Sequence, residues 1–255
     1  MIDIHCHILP NVDDGPSHMT ESIKMVEQAI QEGITTIIAT PHHMNSSYIN
    51  KKDSILEAVQ QLNEEVRTLE LDLNILPGQE CRIYGELVED YHKGDILPLA
   101  ESNKYVFVEF SSNSVPRYAK QLFYDIQMAG LTPIIVHPER NSKIIESPDI
   151  LYDFVNSGVL TQITASSLTG HFGKKIKKFT EDLVDFNLTH FLASDAHGLS
   201  KRPFRMREAF AELEKNFGTD MVYQFHENAD LVVNGLHVAV EPPERIKKKK
   251  FLGIF

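Results

Sequence analysis

The chain has 255 residues, 42% hydrophobic and 24% charged, with a formal net charge of −11 and two cysteines. That size supports one full core, and the acidic balance argues against a broad nucleic-acid-binding face, which needs clustered Lys and Arg. No apolar run approaches the roughly 20 residues of a membrane span, no basic segment leads into an apolar stretch at the N-terminus, and Cys6 and Cys81 are too few for a disulfide framework; a cytoplasmic protein with free thiols and no stable membrane insertion is expected.

Residues 1–7 read as a short apolar strand in which alternation puts His5 and His7 on one face and Cys6 on the other. Asp13-Asp14-Gly15 follows as a turn signal, with Asp14 favoured over Asp13 as a metal ligand. Met19, Ile23, Val26 and Ile30 then recur at helical spacing, Gly33 offers a left-handed stop, and the strand Thr36–Ala39 leads to His42. The adjacent His43 reads as support rather than as a ligand. Ile55, Val59, Leu62, Val66 and Leu69 mark the next helix, before a strand at 74–76 that ends near Glu80, and the strand at 105–108 ends at Glu109. Leu122, Phe123 and Ile126 mark a helix closed by Gly130, and 133–136 delivers His137. A unit around Leu151, Phe154 and Gly158 leads to 160–163 and the polar pair Ser166 and Ser167. Finally Ile176, Phe179, Leu183 and Phe186 precede a stop at Asn187, and 190–193 runs into Asp195 and His197.

Seven strands alternating with helices predict an α/β fold, a distorted seven-unit (β/α) barrel of the TIM type, as one domain over 1–242. A basic tail follows over 243–255, and its run from Arg245 to Lys250 reads as a solvated segment. His5, His7, His42, Glu80, Glu109, His137, Asp195 and His197 all fall at C-terminal strand ends, which in a barrel converge on one mouth; Asp14 joins them from the first loop. Their register predicts a multinuclear metal site, and imidazole and carboxylate donors suit manganese, iron or zinc without choosing among them. Arg140 and Arg202 each follow a ligand closely, and a guanidinium fork matches phosphate oxygens; Arg205 is a weaker substitute for Arg202. Positions 12 and 87, six beyond each cysteine, are Val and Leu, so the cysteine-phosphatase cradle is missing, as are a G-x-S-x-G elbow and a Walker loop. Water activated by bound cations is the remaining nucleophile for phosphomonoester hydrolysis.

The H-x-H opening and the D-D-G-P, T-P-H-H, P-G-Q-E, V-E-F, H-P-E-R and S-D-A-H segments resemble the polymerase and histidinol phosphatase (PHP) superfamily. More narrowly, the whole chain, including Pro116-Arg117-Tyr118-Ala119 and the segment 167–173, resembles the manganese-dependent protein-tyrosine phosphatases of Gram-positive capsule and exopolysaccharide loci. That resemblance implies two or three Mn2+ ions on His5, His7, Asp14, His42, Glu80, Glu109, His137, Asp195 and His197. It also implies phosphate held by Arg140 and Arg202, and a substrate in the phosphorylated C-terminal tyrosine cluster of a bacterial tyrosine kinase. The competing readings are a small-molecule phosphatase of the histidinol-phosphate type and a non-catalytic module that binds the kinase tail.

Overall fold

The computed structural model describes residues 1–246, so positions 247–255 of the expected basic tail lie outside the described residues. Among the described residues nine strands appear: β1 (Ile2–Cys6), β2 (Thr36–Ala39), β3 (His42–His43), β4 (Asn74–Pro77), β5 (Glu80–Arg82), β6 (Tyr105–Glu109), β7 (Thr132–Val136), β8 (Leu160–Thr164) and β9 (Phe191–Ala193). All pair in parallel, as a sheet ordered β1-β2-β4 and a second ordered β3-β5-β6-β7-β8-β9. The two strands beyond the seven expected are continuations: β2 resumes as β3 past Thr40-Pro41, and β4 as β5 past Gly78-Gln79. Pro41 has no N–H to donate to a ladder, so the line breaks there and passes from one sheet to the other. The ring is completed where Cys6 bridges Ala196, with the Asp195 N–H donating to the His5 carbonyl and the His7 N–H to the Ala196 carbonyl, each at 2.9 Å. Seven strand lines thus follow one another around a distorted barrel.

The helices are α1 (Met19–Glu32), α2 (Lys52–Thr68), α3 (Leu87–Lys93), α4 (Ala119–Met128), α5 (Ser142–Glu146), α6 (Asp149–Val155), α7 (Ala165–Leu168), α8 (Lys174–Asp185), α9 (Met206–Phe217) and α10 (Thr219–Val233). The expected stops are used: Gly33 ends α1 at φ 84°, with its N–H on the Ala29 and Ile30 carbonyls, and Asn187 follows α8 at φ 53°. Strand alternation divides the core in two. Ile4, Ile38, Phe107, Ile134 and Phe191 fill the ring, whereas Val106, Val108 and Ile135 face the helices. Val238, just past α10, joins the inner cluster at the end opposite the mouth, and its N–H reaches the Tyr105 hydroxyl at 3.2 Å.

Arg245, the first residue of the basic run, is exposed and makes surface ion pairs. It pairs with Asp149 at 2.6 Å and Asp153 at 3.1 Å, and its guanidinium lies 4.0 Å from the Tyr152 ring centre.

The turn between β4 and β5 leaves no room for a side chain at Gly78. A Cβ there would lie 2.6 Å from Ile38 Cγ2 and 3.0 Å from Leu99 Cδ2, both fully buried. Gly78→Ala should therefore lower unfolding stability by about 1–3 kcal/mol, seen as a reduced urea midpoint at unchanged slope; an unchanged midpoint would show that the turn yields.

Candidate functional site

The strand breaks bring Glu80 to the centre of the mouth, opposite His42 in the β3–β5 ladder. Glu80 is fully buried. Its Oε1 lies 2.8 Å from His137 Nε2 and 3.6 Å from His5 Nε2, and its Oε2 lies 2.7 Å from His42 Nδ1 and 3.3 Å from His7 Nε2. Asp195 Oδ1 is 3.4 Å from His5 Nε2, 3.5 Å from His7 Nε2 and 3.7 Å from His197 Nδ1. Asp14 Oδ1 sits 3.4 Å from both His42 Nε2 and His197 Nε2, and Glu109 Oε2 is 3.8 Å from His42 Nδ1. All nine residues expected as ligands fall into four overlapping groups, each with donor atoms within 4.8 Å of one another. Two of them, His137 (φ 37°) and Asp195 (φ 53°), sit in the left-handed region at strand ends, a strained backbone of the kind concentrated at functional sites.

These donors fit divalent cations. His42 Nδ1, Glu80 Oε2 and His197 Nε2 are buried without a hydrogen-bond partner, although His42 Nδ1 and Glu80 Oε2 are only 2.7 Å apart. His42 shares one group of converging donors with Glu80 and Glu109 and another with His7, Asp14 and His197, and leaving such atoms unsatisfied is costly. Burial disfavours the charged forms of His137, His197, His42 and Glu109. In the event it holds His137 near 3, with Arg140 helping, and His197 near 4, with His7 helping, so both stay neutral as metal ligation requires. Burial also opposes charge on His42, but Glu80 and Asp14 outweigh it and lift the ring to about 10. Glu109 rises to about 7 through burial and the charge of Glu80.

The Asp-Asp-Gly turn divides its labour. Asp14 faces the cluster; Asp13 stands behind it, accepting from His7 Nδ1–H at 2.6 Å, the His42 N–H at 3.1 Å and the Gly15 N–H at 3.0 Å. Gln162 plays the same part for His5, accepting from Nδ1–H at 2.8 Å and so turning Nε2 inward. His43 points the other way, toward Tyr84, with its ring buried.

Both expected arginines arrive at the mouth, where they grip a carboxylate of the cluster. Arg140 Nη2 and Arg202 Nη2 each lie 2.6 Å from Asp195 Oδ2, and against burial they hold Asp195 well below the usual carboxylate range. Neither pairs with Glu139. Arg205 turns away to Glu208 at 3.1 Å from the left-handed N-cap of α9. A cleft of about 240 Å³ opens beside the cluster, lined by His42, Glu109, Phe110, Pro138, Arg140 and Arg202 among others. Its rim carboxylate, Glu109, is held by Arg82 at 3.0 Å. Sequence reasoning passed over Asp13 as support, Gln162 and Arg82; only the Asp-Asp pair carried a signal.

Residues 1–234 match the family described as capsular polysaccharide synthesis, CpsB/CapC. The chain is 48% identical to tyrosine-protein phosphatase YwqE of Bacillus subtilis, covering all of both chains, and 39% identical to the putative tyrosine-protein phosphatase CapC of Staphylococcus aureus, again over both full lengths. A crystal structure from work on YwqE of Bacillus subtilis and CpsB of Streptococcus pneumoniae, described as unique metal-dependent tyrosine phosphatases, superposes with a TM-score of 0.95 at 48% identity, covering 97% of this chain and 100% of that one.

Two outcomes test the site. Asp13→Ala, which leaves all nine donors in place, should weaken Mn2+ binding about 10–100-fold in a calorimetric titration; undiminished affinity would remove Asp13 from the support of His7. Adding a divalent cation such as Mn2+ to stripped protein at about 100 times its dissociation constant should stabilise the fold by about 2.7 kcal/mol for each independent site filled, and a melting temperature indifferent to divalent ions would contradict a built site.

Proposed function

This chain belongs to the CpsB/CapC capsular polysaccharide synthesis family, and from that membership and the geometry of the mouth we propose that it is a metal-dependent protein-tyrosine phosphatase. The observation that carries the reading is the juxtaposition of nine imidazole and carboxylate donors with two arginines on the wall of one cleft. His5, His7, Asp14, His42, Glu80, Glu109, His137, Asp195 and His197 would hold two or three divalent cations, Mn2+ in our reading. When bound, such cations supply a water pKa lowered toward about 7 and polarisation of the phosphoryl oxygens.

The chain's own residues do the rest. Arg140 and Arg202 each spend one nitrogen on Asp195 Oδ2 and have further N–H groups to offer phosphoryl oxygens, where they would offset charge that builds during in-line displacement. Phe110 and Pro138 give the cleft an apolar wall for an aromatic ring. The leaving phenolate has a conjugate acid of pKa about 10, so aryl phosphates ask little of a general acid, which favours phosphotyrosine over phosphoserine.

Histidinol phosphate, by contrast, would bring an ammonium group that needs an unpaired acid. Among the described lining residues the carboxylate is Glu109, already paired with Arg82. We place the substrate in the phosphorylated C-terminal tyrosine cluster of a bacterial tyrosine kinase, and the protein in the cytoplasm. Two buried free cysteines are compatible with a reducing compartment, and no helix among the described residues is long and apolar enough to cross a membrane.

The deciding assay offers metal-stripped protein, with and without Mn2+, a phosphotyrosine peptide, a phosphoserine peptide and histidinol phosphate. Manganese-dependent turnover confined to phosphotyrosine is expected; preference for histidinol phosphate would overturn the substrate assignment, and no turnover at all would overturn the enzyme. Arg140→Ala and Arg202→Ala should each cost about 10²–10³ in kcat with the melting temperature retained, and full activity in either would take that arginine out of the phosphate site.

A further inference from the structure

Arg140 lies in a very short turn. His137 is left-handed, Pro138–Arg140 form one 3-10 turn, and Asn141 begins the approach to α5. Such a turn has little internal hydrogen bonding, so its position depends on outside attachments. Asn141 provides one, donating from its side chain to the carbonyls of Ser111 at 2.8 Å and Ser114 at 3.0 Å. The backbone adds the His137 N–H on the Gln162 carbonyl at 2.7 Å and the Ser142 N–H on the Ser112 carbonyl at 2.8 Å, and Asp195 grips Arg140 itself at 2.6 Å; Glu139 provides a further attachment. Its fully buried carboxylate accepts from the Thr164 N–H at 3.0 Å and the Ser167 hydroxyl at 2.6 Å, tying the turn to the end of β8 and to α7. The segment that receives Glu139 continues to Phe172, whose ring centre is 5.5 Å from the Arg140 guanidinium carbon.

We propose that Glu139 is a positioning residue for phosphate recognition, acting with Ser167 and Phe172 to hold Arg140 at the mouth; this rests on the reading of Arg140 as a phosphate ligand. Stability alone is a poor reason for this carboxylate. Its Oε2 is buried with no hydrogen-bond partner, and burying a carboxylate oxygen without a partner costs free energy. Nor does its charge help recruit an anion, because a carboxylate beside Arg140 subtracts from the attraction for phosphate. What remains is the geometry of the two accepted hydrogen bonds, which depends on the side-chain oxygen and not on the charge.

That distinction makes the test. Inorganic phosphate is titrated calorimetrically into the manganese-loaded protein, with KM and kcat for a phosphotyrosine peptide measured alongside. Glu139→Ala should weaken phosphate binding about tenfold, equivalent to about 1.4 kcal/mol, and lower kcat by more than it raises KM, as a change acting through Arg140 requires, with manganese stoichiometry unchanged. Glu139→Gln keeps an acceptor oxygen for Thr164 and Ser167 and should restore phosphate affinity to within about threefold. Ser167→Ala removes one of the two bonds without touching the turn and should give an intermediate loss, which keeps the question open to measurement if Glu139→Ala does not fold. Wild-type phosphate affinity in Glu139→Ala or Ser167→Ala would overturn the proposal, as would a Glu139→Gln protein as impaired as the alanine variant. A wild-type protein that binds phosphate but does not hydrolyse phosphotyrosine would overturn the enzymatic assignment instead, and the two failures are told apart by the titration.

Discussion

The structure is organised around the burial of one carboxylate. Glu80 has no solvent exposure and is approached by nitrogen atoms of His5, His7, His42 and His137. An ionised carboxylate in such a place is tolerated only when positive charge or hydrogen-bond donors surround it. The barrel supplies them by bringing the end of β1, the β3 extension of β2 and the end of β7 to the same point. The distortion has a purpose in this light. By breaking β2 and β4 and resuming them as β3 and β5 in the neighbouring sheet, the chain carries His42 and Glu80 into the mouth instead of leaving them on its edge.

Asp195 is the hinge between two kinds of chemistry. One oxygen faces His5, His7 and His197, and the other is shared by Arg140 and Arg202. The imidazole and carboxylate cluster and the two arginines are therefore mechanically continuous, and the arginines are aligned by a residue of that cluster. Preorganisation of this sort avoids paying for reorientation during the reaction.

Much of this arrangement was legible in the sequence because polar residues at strand ends interrupt otherwise apolar runs, and the interruption recurs at the same phase in each repeat. His42, Glu80, Glu109 and His137 all stand out in that way. Residues that act behind the cluster lack such a signal. Gln162 lies in mid-strand, where a neutral amide in an apolar run reads as an ordinary substitution, and its value comes from His5, 157 positions away. Arg82 could not be linked to Glu109 without the β5–β6 pairing, and Glu139 was visible only as a neighbour of Arg140. The strands β3 and β5 were hidden because two or three residues are too few to show a period of two.

The closing of the ring has a consequence for how the protein comes into being. His5 and His7 leave the ribosome first, whereas Asp195 and His197, which complete their surroundings, are synthesised about 190 residues later. At a translation speed of roughly 5–20 residues per second, the first two histidines wait at least about ten seconds for their partners. During that interval β1 has its β2 edge available but lacks the contacts at Ala196. A product that stops short of Asp195 keeps His5 and His7 but lacks the doubly gripped carboxylate that aligns the arginines.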